Sequence, residues 1–139
     1  MKLILASASP RRKELLGKIG LKFEIIPAKG EEVVTKKLPW EVVEELSFQK
    51  AKEIADMQTE ECIVIGSDTI VAKDEKIMGK PKDEADAYQM LSEIAGDVHQ
   101  VYTGVTLIRT GKEPKVITFA EKTDVHLYPM SDKEIYSYI

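Results

Sequence analysis

The sequence predicts an α/β domain built on a mixed sheet. Three observations carry that prediction. Short apolar runs alternate with helical stretches through the first half of the chain, which favours parallel strands joined by helices. Two long strand-like runs then meet across a turn, which favours an antiparallel hairpin. The chain has 139 residues, 43% of them apolar and 32% charged, enough for one domain with a real core. No low-complexity segment and no internal repeat breaks this pattern.

The elements follow in order. Leu3 to Ala6 is a short β-type run. Ser9 fits an N-cap and Pro10 the first helical position, and Leu15, Leu16 and Ile19 begin an apolar face that closes at Gly20. Lys22 to Pro27 reads as a strand, and Lys29 to Leu38 as a polar loop carrying Glu31 and Glu32. Pro39 opens a long helix to about Met57, with Val42, Val43, Leu46, Ile54 and Ala55 on its apolar side. Cys62 to Ala72 is the strongest strand, and it ends in a turn at Lys73-Asp74-Glu75-Lys76. Gly79-Lys80-Pro81 connects to a helix from Asp83 to Ala95, stopped by Gly96. Val98 to Arg109 and Lys115 to His126 pair through the turn Thr110-Gly111-Lys112-Glu113-Pro114, and Ser131 caps a last short helix.

Charge and composition exclude several functions. A formal charge of −4 argues against general nucleic-acid affinity, so any anion site must be local. Cys62 begins an apolar run and reads as a buried small hydrophobe, and a single cysteine permits no internal disulfide. The two histidines and this cysteine have no zinc-like spacing. Met1 leads directly into a strand, with no signal-peptide pattern and no membrane-length apolar run, so the expected location is the cytoplasm and no membrane partner is expected.

Six places carry candidate chemistry. Arg11 and Arg12 stand in the first turn of a helix whose N-terminus already favours anions, and they oppose the dipole there. Their guanidinium forks match phosphate oxygens. Asp68 interrupts a strand that is apolar on both sides, a costly position unless the carboxylate is paired, metal-bound or in a cleft. A bulge at Gly66-Ser67 that lets it reach solvent is the other reading. Thr69 points to the opposite face if the strand is regular. Lys50 lies on the apolar stripe of the long helix, where it either snorkels to water or turns its head toward a phosphate. Pro81 and Gly79 hold Lys80 in a defined direction, although Gly-Lys-Pro also occurs in surface loops and is not a P-loop. Glu32, with Glu31, is either solvated charge or, with Asp68, a source of hard oxygen ligands for a divalent cation. His99 reads as a structural hydrogen-bonder or a general base.

Together these residues resemble the Maf family of nucleoside triphosphate pyrophosphatases. The resemblance runs from Leu3 to the end of the chain. It rests on Leu-Ala-Ser-x-Ser-Pro-Arg-Arg at 5–12, Glu-Glu at 31–32, Lys50-Ala51, Gly-x-Asp-Thr at 66–69, Gly-Lys-Pro at 79–81 and the segment from Gly96 to Gly104. It implies a Maf/Ham1 (ITPase-like) fold with a nucleotide cleft, and hydrolysis of the α–β phosphoanhydride with a divalent cation, Mg or Mn. Carried onto this chain, Asp68 looks like the catalytic base. Ser7, Arg11, Arg12, Lys50 and Lys80 would hold the triphosphate, with Glu32 and Asp68 at the metal. Ser-Pro-Arg-Arg with Asp-Thr resembles the branch acting on dTTP and UTP, so Arg11 and Thr69 suggest a pyrimidine triphosphate.

The family is also linked to inhibition of septum formation. Its members continue past the point where this sequence ends, through a segment that supplies one wall of the cleft. The expectation is therefore an incomplete domain over 1–139 that borrows the wall from a second copy as a homodimer. The alternative is a weak or inactive nucleotide-binding homologue that acts through a protein partner in cell division.

Overall fold

The strand from Cys62 to Lys73 organises the structure. A computed structural model describes residues 1–7, 9–18, 20 and 22–139. Its elements are β1 (Lys2–Leu5), α1 (Pro10–Lys18), β2 (Glu24–Ile25), α2 (Pro39–Ala55), β3 (Cys62–Lys73), β4 (Lys76–Met78), α3 (Glu84–Ile94), β5 (Val98–Arg109), β6 (Lys115–His126) and α4 (Asp132–Tyr138). The strands form one sheet of order β2-β1-β3-β5-β6, with β4 also on β3. β1 runs parallel to β2 and β3, and the other pairs are antiparallel. The mixed sheet expected from the sequence is therefore the sheet observed.

β3 is paired unequally along its two edges. β5 pairs with one edge without interruption from Ile63 to Ala72. The other edge takes β1 through Ile65 and β4 from Val71. Between them, residues 66–70 have no strand partner on that edge among the described residues. The unbroken β3–β5 register also means that there is no bulge at Gly66-Ser67. Asp68 reaches an opening because its neighbours on one edge are absent.

α2 packs across β3 and β5. Its buried side is Val42, Val43, Leu46, Ser47, Ala51, Ile54 and Ala55, the expected stripe with Ser47 and Ala51 added. A side chain at Gly66 would collide with the Ser47 carbonyl and Ala51, and one at Gly104 with the backbone of Val43. The two glycines let the helix lie close to the sheet. Ser47 Oγ, fully buried, hydrogen-bonds Thr106 Oγ1 at 2.9 Å, and Thr106 Oγ1 lies 2.9 Å from Thr118 Oγ1. One apolar cluster gathers Ile4, Ala6, Ala51, Ile54, Cys62, Val64 and Ile108, so Cys62 is core as expected.

Three elements differ from expectation. β2 spans Glu24–Ile25 rather than Lys22 to Pro27, because its partner β1 ends at Leu5 and the pairing finishes with the Ile26 N–H on the Leu5 carbonyl. No described residue of α1 is buried, and Leu15 is exposed. Arg11, Arg12, Lys13, Glu14 and Lys18 leave this nine-residue helix too few apolar positions to bury a face. Ile19, the third residue of the expected face, lies outside the described residues. The turn after β3 becomes a hairpin with β4, in which Asp74 and Glu75 adopt positive φ of 51° and 66°, the pattern of a two-residue type I′ turn. Among the described residues, no helix is long and apolar enough to cross a membrane.

Candidate active site

Asp68 sits on the α2 face of β3, two residues beyond Gly66, and is 9% exposed. Lys50 Nζ donates to its Oδ1 at 2.7 Å and approaches the Ser67 carbonyl at 3.4 Å. The same ammonium meets Glu32 Oε1 at 3.4 Å. Of the two readings open for Lys50, the head is therefore turned inward, onto two carboxylates. The close seat of α2 over Gly66 and Gly104 is what brings it within reach.

Arg12 approaches from α1. Its Nη1 donates to Ser7 Oγ at 3.1 Å and its Nη2 to Thr69 Oγ1 at 3.3 Å. Thr69 lies on the face of the strand opposite Asp68, as a regular strand requires, and its hydroxyl is 3.2 Å from that of its cross-strand neighbour Thr103. Burial of the guanidinium pulls the Arg12 pKa below its ordinary value, and the negative charge of Asp68 acts in the other direction. An arginine so placed stays charged. Ser7 is buried and also accepts from the Ser9 N–H at 3.1 Å.

These groups line a cavity of about 800 Å³ with Lys80 and Pro81, a size within the ordinary range for small-molecule sites. Arg12, Glu32, Lys50, Asp68, Thr69 and Lys80 all border it. Arg11 lies exposed on α1, outside that lining, and Ser7 joins the site through Arg12. The apolar side of the cavity is Met78 from β4 and Met90, Leu91 and Ile94 from α3. The three α3 residues follow helical spacing, so this wall was readable as a face, but nothing in the sequence tied it to the site. Thr103 was likewise missed, because it becomes visible only through the β3–β5 register.

His99 is buried, and its Nδ1 has no hydrogen-bond partner among the described residues. It is not part of the cavity lining. Glu32 and Asp68 are hard oxygen donors on either side of one cationic head, a donor set that suits a divalent cation completing its shell with phosphate oxygens and water. No larger group of His, Cys, Asp and Glu is gathered for metal binding among the described residues. Chemically, the cavity offers three cations for a polyanion, one nearly buried carboxylate and a separate apolar wall.

Comparison with known proteins adds independent findings. The family profile described as "Maf-like protein" matches residues 2–139. The dTTP/UTP pyrophosphatase of Agathobacter rectalis is 48% identical over 155 aligned positions, covering 99% of this chain and 74% of that protein. The dTTP/UTP pyrophosphatase of Thermoanaerobacter sp. (strain X514) is 48% identical over 139 positions, covering 100% of this chain and 72% of the relative. Among solved structures, a HAM1 protein from Coxiella burnetii superposes with a TM-score of 0.63 at 14% identity, over 91% of this chain and 72% of that one. The Ham1 protein of Staphylococcus aureus gives 0.53 at 16% identity, over 88% and 70%. At such identities the structural likeness speaks for the fold, which is of the Ham1 type.

Proposed function

The chain belongs to the Maf-like family, and from that premise we propose that it hydrolyses nucleoside triphosphates, dTTP and UTP in particular, to the monophosphate and pyrophosphate. The observation that carries this reading is the convergence of Arg12, Lys50 and Lys80 with Asp68 on one cavity. The names of the relatives support the choice of pyrimidine triphosphate, as do Arg11 and Thr69 through their place in the motifs.

In this mechanism Arg12 and Lys80 hold the phosphate chain, with Arg11 at the exposed helix start and Ser7 fixing the Arg12 fork. Lys50 engages Asp68 on Oδ1, which leaves Oδ2 to orient a water against the α–β phosphoanhydride. Water adds across that linkage, its proton passes to Asp68, and pyrophosphate leaves as the bridging bond breaks. The cations neutralise charge that develops on the phosphoryl oxygens. Glu32 and Asp68 would hold the divalent cation, Mg or Mn. When bound, it polarises the phosphoryl oxygens and offsets their charge.

Pyrophosphate release from dTTP and UTP, with magnesium or manganese present, tests the proposal. Release by the wild-type chain that falls at least about hundredfold in Asp68→Asn is the expected result. Nucleotide binding without release above the Asp68→Asn background would overturn the hydrolytic reading.

A further inference from the structure

Residues 29–36 have no regular secondary structure, yet their backbone is tied to side chains of α2. Glu45, Gln49 and Glu53 recur at intervals of four and so form one stripe along the helix. Glu53 accepts from the Lys29 N–H at 2.8 Å and the Gly30 N–H at 2.6 Å. Glu45 accepts from the Thr35 N–H at 2.9 Å, the Thr35 hydroxyl at 2.7 Å and the Lys36 N–H at 3.1 Å. Between them, Gln49 accepts from the Val33 N–H at 3.0 Å and donates to the Val33 carbonyl at 2.6 Å.

The residue types match what they meet. The outer two positions face donors alone and are carboxylates. The middle position faces the donor and the acceptor of one residue, Val33, and it is an amide, which offers both complements where a carboxylate offers only one. Glu32 precedes Val33, and Gln49 precedes Lys50, so this pair of bonds sits one residue from the Glu32–Lys50 contact at 3.4 Å.

We infer that Gln49 is a positioning residue: its two bonds to Val33 set the Glu32 carboxylate against Lys50 and Asp68. This role rests on the hydrolytic reading above, in which Glu32 works at the phosphate chain. Gln49 touches no reacting group, and it acts through Glu32.

The test uses Gln49→Ala and, as a variant of equal size, Gln49→Glu, which keeps the acceptor and turns a charge toward the Val33 carbonyl. Amide exchange at Val33 and steady-state hydrolysis of dTTP are measured in both, with and without Glu32→Gln. Exchange at Val33 is expected to rise at least about tenfold in Gln49→Ala, which removes the acceptor. The kcat is expected to fall about tenfold while KM stays within about threefold, and the kcat loss should vanish in the Glu32→Gln background. Unchanged Val33 exchange in Gln49→Ala overturns the inference, as does a kcat loss that persists in Glu32→Gln, the mark of a merely structural role. An active wild type with an unaffected Gln49→Ala overturns this inference alone. A wild type without turnover of dTTP or UTP overturns the hydrolytic reading and this role together.

Discussion

Asp68 stands directly opposite Gly104 across the β3–β5 ladder. The missing side chain at Gly104 admits the Val43 backbone of α2. Seven residues further along the same helix, Lys50 then reaches Asp68 at 2.7 Å. A glycine on one strand is thus a condition for the ion pair on the next.

Gly104→Ala is expected to destabilise the fold by about 1–3 kcal/mol, because the added methyl meets backbone that cannot rotate away. Urea denaturation measures the loss. Hydrolysis should fall in the same variant under fully folded conditions, since α2 must lift and carry Lys50 from Asp68.

Lys50→Met is expected to cost about 1–3 kcal/mol by leaving the nearly buried Asp68 carboxylate without its cationic partner. Adding Asp68→Asn should recover part of that loss, because the uncompensated charge is then gone. A thermal-denaturation double-mutant cycle reads the coupling.

Thr106→Val keeps the shape of a fully buried side chain but removes the hydroxyl shared by Ser47 and Thr118. Ser47 retains its bond to the Glu44 carbonyl, so the expected destabilisation is about 1–2 kcal/mol. Chemical denaturation checks it.

Acid should loosen residues 35–36 before the sheet. The Thr35 hydroxyl, followed by the Thr35 and Lys36 N–H groups, holds the Glu45 carboxyl below its ordinary 4.5. A carboxyl depressed on folding contributes stability that is present above its unfolded pKa and is lost as pH falls through the folded one. Amide protection factors at Thr35 and Lys36 should therefore fall as pH drops below 4.5, while amides of the β3–β5 ladder stay protected. Equal loss of protection in both regions would contradict this.

The β5–β6 hairpin was legible to the residue, because two strand-like runs flank a glycine-containing turn. α2 was legible from its stripe, and Lys50 stood out within it. β2 was not, because its length depends on where β1 stops. Nor were the ties from Glu45, Gln49 and Glu53. On the sequence these residues are an ordinary polar helix face, and their partners are backbone groups that carry no residue signature. Thr103 shows the same limit, since its place beside Thr69 follows from register alone. The candidate site was legible where charge interrupts an apolar pattern, as at Asp68 and Lys50, and illegible where polar groups merely face each other.

The uneven pairing of β3 divides labour within the cavity. A ten-residue ladder on one side holds Asp68 in the sheet, while the open side has no strand among the described residues that must peel away before solvent and nucleotide arrive. Glu32 and Lys80, in contrast, ride on irregular backbone outside the sheet. An acid held in the sheet suits a pocket that meets its ligand as a long, flexible chain of charges: the ligand adapts to the loops, and the acid stays where it is.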